Sequence, residues 1–181
     1  MDPDLSAVDA TLEDLDADGY LLDADGTDPN QQYLSGFDAP DPFVTLYAGE
    51  THLLFVRSLE FGRAKRESRA ETVERFVDFE YDDRLAEHGR QEAAARVRAA
   101  FLRAHDVGSV AVPPRFPTGT ADAIRSQGID VTVDHDDAIE TARAKKTDKE
   151  IEHVRTAQRA NERAMAAAEE LITGSDVDGE G

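Results

Sequence analysis

The chain has 181 residues, with 39 acidic against 20 basic side chains, a formal net charge of -19 and no cysteine. That balance disfavours nucleic acid and anionic membranes as partners, because phosphates and lipid headgroups would be repelled. The missing cysteines exclude disulfides, thiolate metal sites and cysteine nucleophiles together.

Forty per cent of the residues are hydrophobic, enough for a buried core. The only lysines are Lys65, Lys145, Lys146 and Lys149. An acid-rich, lysine-poor chain suits a salt-adapted (halophilic) cytoplasm, where carboxylates stay hydrated and salt screens their repulsion. Met1-Asp2-Pro3-Asp4 has no basic or apolar run of the signal-peptide kind, and no stretch approaches the roughly 18 apolar residues of a membrane span. A soluble, cytoplasmic protein is expected.

In chain order, residues 4–16 read as a helix with Leu5, Val8, Leu12 and Leu15 on one face. Gly19 to Leu22 reads as a short buried strand, followed by a turn-rich stretch from Asp23 to Asn30 holding Gly26 and Pro29. Tyr33 to Phe37 and a Pro40/Pro42 loop come next. Phe43–Tyr47 and Leu53–Val56 flank Gly49-Glu50 and predict a hairpin. A helix is expected from about 59 to 68 and a weaker strand over 73–79. Residues 91–105 carry Val97, Ala100, Phe101 and Ala104 at helical spacing. Ser109–Val112 is a strand stopped by Pro113-Pro114. A short helix over 118–127 ends at Gly128, and Ile129–Val133 is a further strand. Alternating strands and helices around a hairpin predict an α/β domain, a mixed sheet flanked by helices.

The last element stands apart. Thr147-Asp148-Lys149-Glu150 is a capping box, the Thr147 hydroxyl accepting the Glu150 N–H and the Glu150 carboxylate reaching back. A long helix follows, with Ile151, Val154, Ala157, Ala164, Ala168 and Leu171 on one side and Thr173-Gly174 at its end. The expected organisation is a domain over 1–140, a boundary near 137–146, a long helix over 141–174 and an acidic tail over 175–181.

Two stretches carry a family likeness. Asp18-Gly19-Tyr20-Leu21-Leu22, Asn30 and Tyr33-Leu34-Ser35-Gly36-Phe37 resemble the "YLTGF" region near the start of creatinases, prolidases and aminopeptidases P. Arg143-Ala144-Lys145-Lys146, Glu150-Ile151 and Arg155-Thr156-Ala157 resemble the opening of that family's linking helix. The resemblance spans about residues 5–172. It implies a creatinase N-terminal-type, ribonuclease H-like α/β domain, followed by a larger pita-bread catalytic domain. In the family that domain holds two divalent ions, manganese or cobalt, through two Asp, one His and two Glu. The ions activate a water that attacks the peptide bond before proline.

Those five ligands lie beyond the linking helix, so no catalytic or metal residue is assigned here. The chain alone is expected to be inactive. The partners implied are its own C-terminal catalytic domain, a second copy in a homodimer and short proline-containing peptides. In the family the Tyr-x-x-Gly-Phe loop approaches the neighbouring subunit's substrate. Tyr33 and Phe37 are therefore the candidate substrate-facing residues, the alternative being that both pack inside their own domain. Gly36 reads as a turn requirement. The rival function is a stand-alone peptide- or protein-binding module of the same fold, whose long helix would tuck back and leave no apolar stripe exposed.

Other constellations are weaker. Asp14, Asp16, Asp18 and Gly19 imitate the start of a calcium loop, but its twelfth position is Asp25 rather than Glu, and Gly26 and Pro29 stand where a helix should open. Asp134-His135-Asp136-Asp137 reads as a polar turn, and His52, His88, His105 and His153 as scattered surface residues. Pro113-Pro114-Arg115-Phe116-Pro117 reads as a stiff strand-to-helix loop. Arg63–Arg69 reads as a solvated helix face paired with Glu60, Glu67 and Glu71. Phosphate-cradling glycine motifs and a nucleophile elbow are absent from the sequence.

Overall fold

A computed structural model describes residues 3–175. The chain divides into two compact units between Arg143 and Ala144.

The first unit is built on a six-stranded sheet. Its strands are β1 (Gly19–Ala24), β2 (Phe43–Ala48), β3 (Thr51–Val56), β4 (Thr72–Arg75), β5 (Ser109–Val112) and β6 (Asp130–Val133), in the spatial order β4-β3-β2-β1-β5-β6. The β1–β2 and β2–β3 pairs are antiparallel; β3–β4, β1–β5 and β5–β6 are parallel. The β2–β3 hairpin turns on Gly49 (φ 56°) and Glu50 (φ 65°), with Ala48 opposite Thr51. Two successive positive φ values are what a two-residue turn of matching twist needs.

Side-chain parity assigns the two faces. Leu21, Val44, Leu46, Leu53, Phe55, Val110 and Val112 share one core cluster with Val97, Phe101 and Leu102 of α5 (Arg90–Ala104) and Ile124 of α6 (Thr118–Ser126). Tyr20, Leu22, Tyr47 and Ala111 form another cluster with Leu5, Val8 of α1 (Ser6–Leu15), Leu34 of α2 (Pro29–Ser35) and Ile139 of α7 (Ala138–Ala144). A third holds Phe37, Phe43, Leu54, Val56, Val73 and Ala64 of α3 (Phe61–Glu67). With both faces covered, the central strands are apolar at nearly every position.

The mixed sheet, the hairpin, α5, β5, α6 and β6 agree with the sequence reading, and four regions differ. The stretch expected to be turns up to Asn30 instead continues β1 to Ala24 and starts α2 at Pro29. The Asp28 side chain accepts the Asn30 and Gln31 N–H groups at 2.8 and 2.9 Å. Proline suits a first helical position, where its missing N–H has no partner to lose. Gly36, at φ 64°, ends this helix.

The strand expected over 73–79 stops at Arg75 and gives way to one 3-10 turn, Phe76–Phe79. Asp78 accepts the Arg75 N–H at 3.0 Å and pairs with its guanidinium at 2.6 Å, closing the turn. Phe76 and Phe79, three apart, thereby reach the same cluster, which strand alternation would forbid. Finally, α4 (Tyr81–His88) and α7 are helices of only two turns each: no periodicity marks α4, and residues 141–144 of the span expected as one long helix belong to α7, the long helix itself beginning at Asp148.

The second unit carries α8 (Asp148–Thr173). The capping box is formed as expected: Thr147 Oγ1 accepts the Glu150 N–H at 3.3 Å and Glu150 Oε2 accepts the Thr147 N–H at 2.8 Å. No residue of this 26-residue helix is buried. The acidic tail expected over 175–181 lies, from residue 176 on, outside the described residues.

Candidate functional site

The carboxyl ends of β1 and β5 are where ligands sit in open α/β sheets, in the crevice between neighbouring parallel strands whose connections diverge. Here that crevice holds about 170 Å³ and is walled by the end of β1, the Pro113–Pro117 loop, the start of α2 and residues of α7. Its polar groups are turned on one another. Arg143 donates to Asn30 Oδ1 at 2.8 Å, and Asn30 donates to Asp137 Oδ1 at 3.3 Å. The crevice is therefore braced rather than open, and it ties α2 to α7.

Asp134 holds the start of α7. Its carboxylate accepts the Tyr20 hydroxyl at 2.9 Å and the Ala138 and Asp136 N–H groups at 2.7 and 3.0 Å. The Tyr20 phenol is pushed well above its ordinary range, first by burial and then by the neighbouring carboxylate. Of the Asp134–Asp137 run, Asp134 is buried while His135 is exposed.

The calcium-like stretch is divided among other tasks. Asp14 lies on α1, and Asp16 is its left-handed cap (φ 49°). Asp18 Oδ2 accepts the Gly108 and Ser109 N–H groups, both at 2.8 Å, and the Ser109 hydroxyl at 2.9 Å. Pro29, expected to prevent a helix, opens one. The hydrogen bond from Gly108 is the main reason the Asp18 carboxyl is held below its ordinary value of 3.8. A carboxyl with a lowered folded-state pKa contributes stability above that ordinary value and loses it as pH falls through the folded one. Asp18→Asn is accordingly expected to melt below wild type at neutral pH, the gap closing as pH is taken below 3.8; Tm measured against pH for both proteins checks this.

The histidines are not all superficial. His52 is buried against Tyr47, ring centroids 5.2 Å apart, because their paired register turns both to one face of the sheet. His105 meets Glu74 at 3.1 Å. Arg63 pairs with Glu60 and Glu67 as the sequence suggests, at 2.8 and 3.2 Å, whereas Glu71 accepts the His52 N–H instead.

Tyr33 and Phe37 flank Gly36 in different settings. Tyr33 is half-buried, and its hydroxyl donates to the Ala142 carbonyl at 3.4 Å. Phe37 is 1 % exposed, edge-on to Phe43 at 5.4 Å and under the Arg63 guanidinium at 5.3 Å. Both are fixed by contacts within the first unit.

Residues 5–145 match the family signature described as the creatinase/prolidase N-terminal domain. The chain belongs to that family. The sheet of this creatinase/prolidase N-terminal domain also matches solved structures. The prolidase from Pyrococcus horikoshii aligns over 92 % of this chain and 42 % of its own, with 24 % identity and a TM-score of 0.62. The prolidase from Pyrococcus furiosus aligns over 92 % and 46 %, with 21 % identity and a TM-score of 0.64. A proline dipeptidase from Streptococcus pneumoniae aligns over 81 % of this chain and the whole of its own, with 18 % identity and a TM-score of 0.54. The chain thus spans less than half the length of the two Pyrococcus proteins. No curated protein sequence matches it.

Among the described residues no three His, Asp or Glu side chains converge on a point where a metal ion could be held. Among the same residues no helix is long and apolar enough to cross a membrane.

Proposed function

We propose that this domain is the N-terminal, non-catalytic half of a dinuclear-metal Xaa-Pro peptidase, a dipeptidase or an aminopeptidase. It provides dimer contacts and gates the approach of short proline-containing peptides. The two divalent ions, manganese or cobalt, belong to a catalytic domain following α8. In this reading Tyr33 lines the substrate-facing wall, and Phe37 supports that wall from inside the domain. The acidic, lysine-poor surface suits a salt-rich cytoplasm.

The observation that carries the reading is α8. Val154, Met165 and Ile172 align along one side of this helix, 62 %, 62 % and 75 % exposed, with Leu171 beside them at 73 %. They form an apolar stripe along the helix. In this reading the stripe packs on the catalytic domain that follows. The test is the intact mass of the native protein in its source cells, together with hydrolysis of a Xaa-Pro dipeptide in the presence of manganese. A mass roughly double that of one domain of this size, with metal-dependent hydrolysis, is the expected result. A native mass of 19.8 kDa with no hydrolysis would leave the binding-module reading in its place.

A further inference from the structure

Asp23 has the parity of Leu21, so it faces α5 rather than α2. Its carboxylate, 6 % exposed, accepts the Arg98 guanidinium at 2.9 Å and the Thr120 hydroxyl at 3.3 Å. Outside this pair opens a cleft of about 650 Å³ to which three arginines contribute: Arg57 from the end of β3, Arg90 from the start of α5, and Arg98. Among the described residues that line it, the acidic ones are Asp23 and Asp41, so these residues give the cleft a surplus of one positive charge in a chain of net charge -19.

The guanidiniums are positioned but not consumed. Arg57 and Arg98 both lie over the Phe76 ring, 5.4 and 5.5 Å from its centroid. Phe76 is itself held by stacking on Phe55 at 4.3 Å. Cation–ring attraction thus fixes two like charges on one platform. Among the described residues neither Arg57 nor Arg90 has a carboxylate within ion-pair distance, and the Nε–H of Arg98 is buried with no acceptor. Planar guanidinium forks are matched to carboxylates, which they bind through paired N–H bonds. Pro42, Pro117 and Phe76 add an apolar wall suited to a carbon skeleton.

We propose that this cleft is a binding site for a small polycarboxylate anion, held chiefly by Arg57 and Arg90 with Arg98 behind them. The inference is independent of the peptidase reading, since it uses only groups of the first unit. Calorimetric titration of the 181-residue chain at constant ionic strength, with citrate, succinate and inorganic phosphate in turn, tests it. Citrate is expected to bind at one site with a Kd of about 1 mM or tighter, and phosphate distinctly more weakly. The double variant R57A/R90A is expected to lose at least about tenfold in citrate affinity. Both side chains are exposed, so the variant should stay folded with a Tm within a few degrees of wild type; Arg98 is left in place because its loss would strand the buried Asp23. Absence of saturable citrate binding, an affinity unchanged in R57A/R90A, or phosphate binding as tightly as citrate would each overturn the proposal.

Discussion

Phe55→Ala is expected to destabilise the first unit by about 4 kcal/mol, within the range for deleting a fully buried aromatic ring. Phe55 sits at the centre of the aromatic cluster. Its ring stacks on Phe76 at 4.3 Å and on Phe101 at 4.6 Å, and meets Phe79 edge-on at 5.3 Å. Those partners come from the 3-10 turn and from α5, so the ring joins the sheet to two separate segments of its cover. Removing it forfeits the transfer energy of the ring and leaves a cavity whose walls, being stacked rings themselves, collapse poorly. Phe55→Leu keeps much of the volume and should cost less than half as much. Urea unfolding followed by circular dichroism checks both, with the midpoint falling and the slope unchanged if the native state is otherwise intact. A midpoint shift for Phe55→Ala no larger than for Phe55→Leu would mean the cluster is not the keystone described.

Asp134→Ala is expected to cost about 3 kcal/mol, lowering Tm by roughly 10 °C. The carboxylate is 3 % exposed and accepts three hydrogen bonds, so its loss leaves the Tyr20 hydroxyl and the Ala138 and Asp136 N–H groups without their acceptor. An orphaned buried donor costs more than the bond was worth. Tyr20→Phe should cost only about 1 kcal/mol, because it removes one donor and leaves the carboxylate its two N–H bonds. The double variant should then be less destabilised than the sum of the two, since Tyr20→Phe has already removed the hydroxyl that Asp134→Ala would strand. Thermal melts of the three variants decide this; strict additivity would mean that Tyr20 and Asp134 do not act as a unit.

What is legible in the sequence follows the range of the signal. The 48–51 hairpin, the strand ended by Pro113-Pro114 and the capping box at Thr147 each rest on residues within a few positions of one another, and each forms as read. The α2 start is also local, an Asp28-Pro29 pair of cap and first-turn proline, but proline marks turns and helix openings alike, and here the second meaning holds. The 76–79 turn is legible neither as strand nor as helix, because Asp78 closing on Arg75 and two phenylalanines reaching one cluster override the apolar alternation. His52 is buried rather than superficial because of its register against Tyr47, which its sequence neighbours do not encode.

The candidate sites divide in the same way. Tyr33 and Phe37 stand out through a stretch that resembles a family motif, and their neighbour Gly36 takes the left-handed turn that such a stretch suggests. Arg57, Arg90 and Arg98 carry no such signal: they are exposed or half-buried arginines on β3's end and on α5, and nothing in their spacing links them to Asp23.

By itself, then, the sequence carried the family resemblance in two motifs, and it determined the mixed α/β class, the hairpin and the capped start of α8, because caps, two-residue turns and hydrophobic periods are written in neighbouring residues. Only the tertiary structure decided that β1 lies between β2 and β5, that Asp23 faces α5, and that two arginines meet over one phenylalanine with a third at the same cleft. Those outcomes depend on pairing segments some ninety residues apart, as when Tyr20 registers with Ala111, and no local propensity encodes that choice.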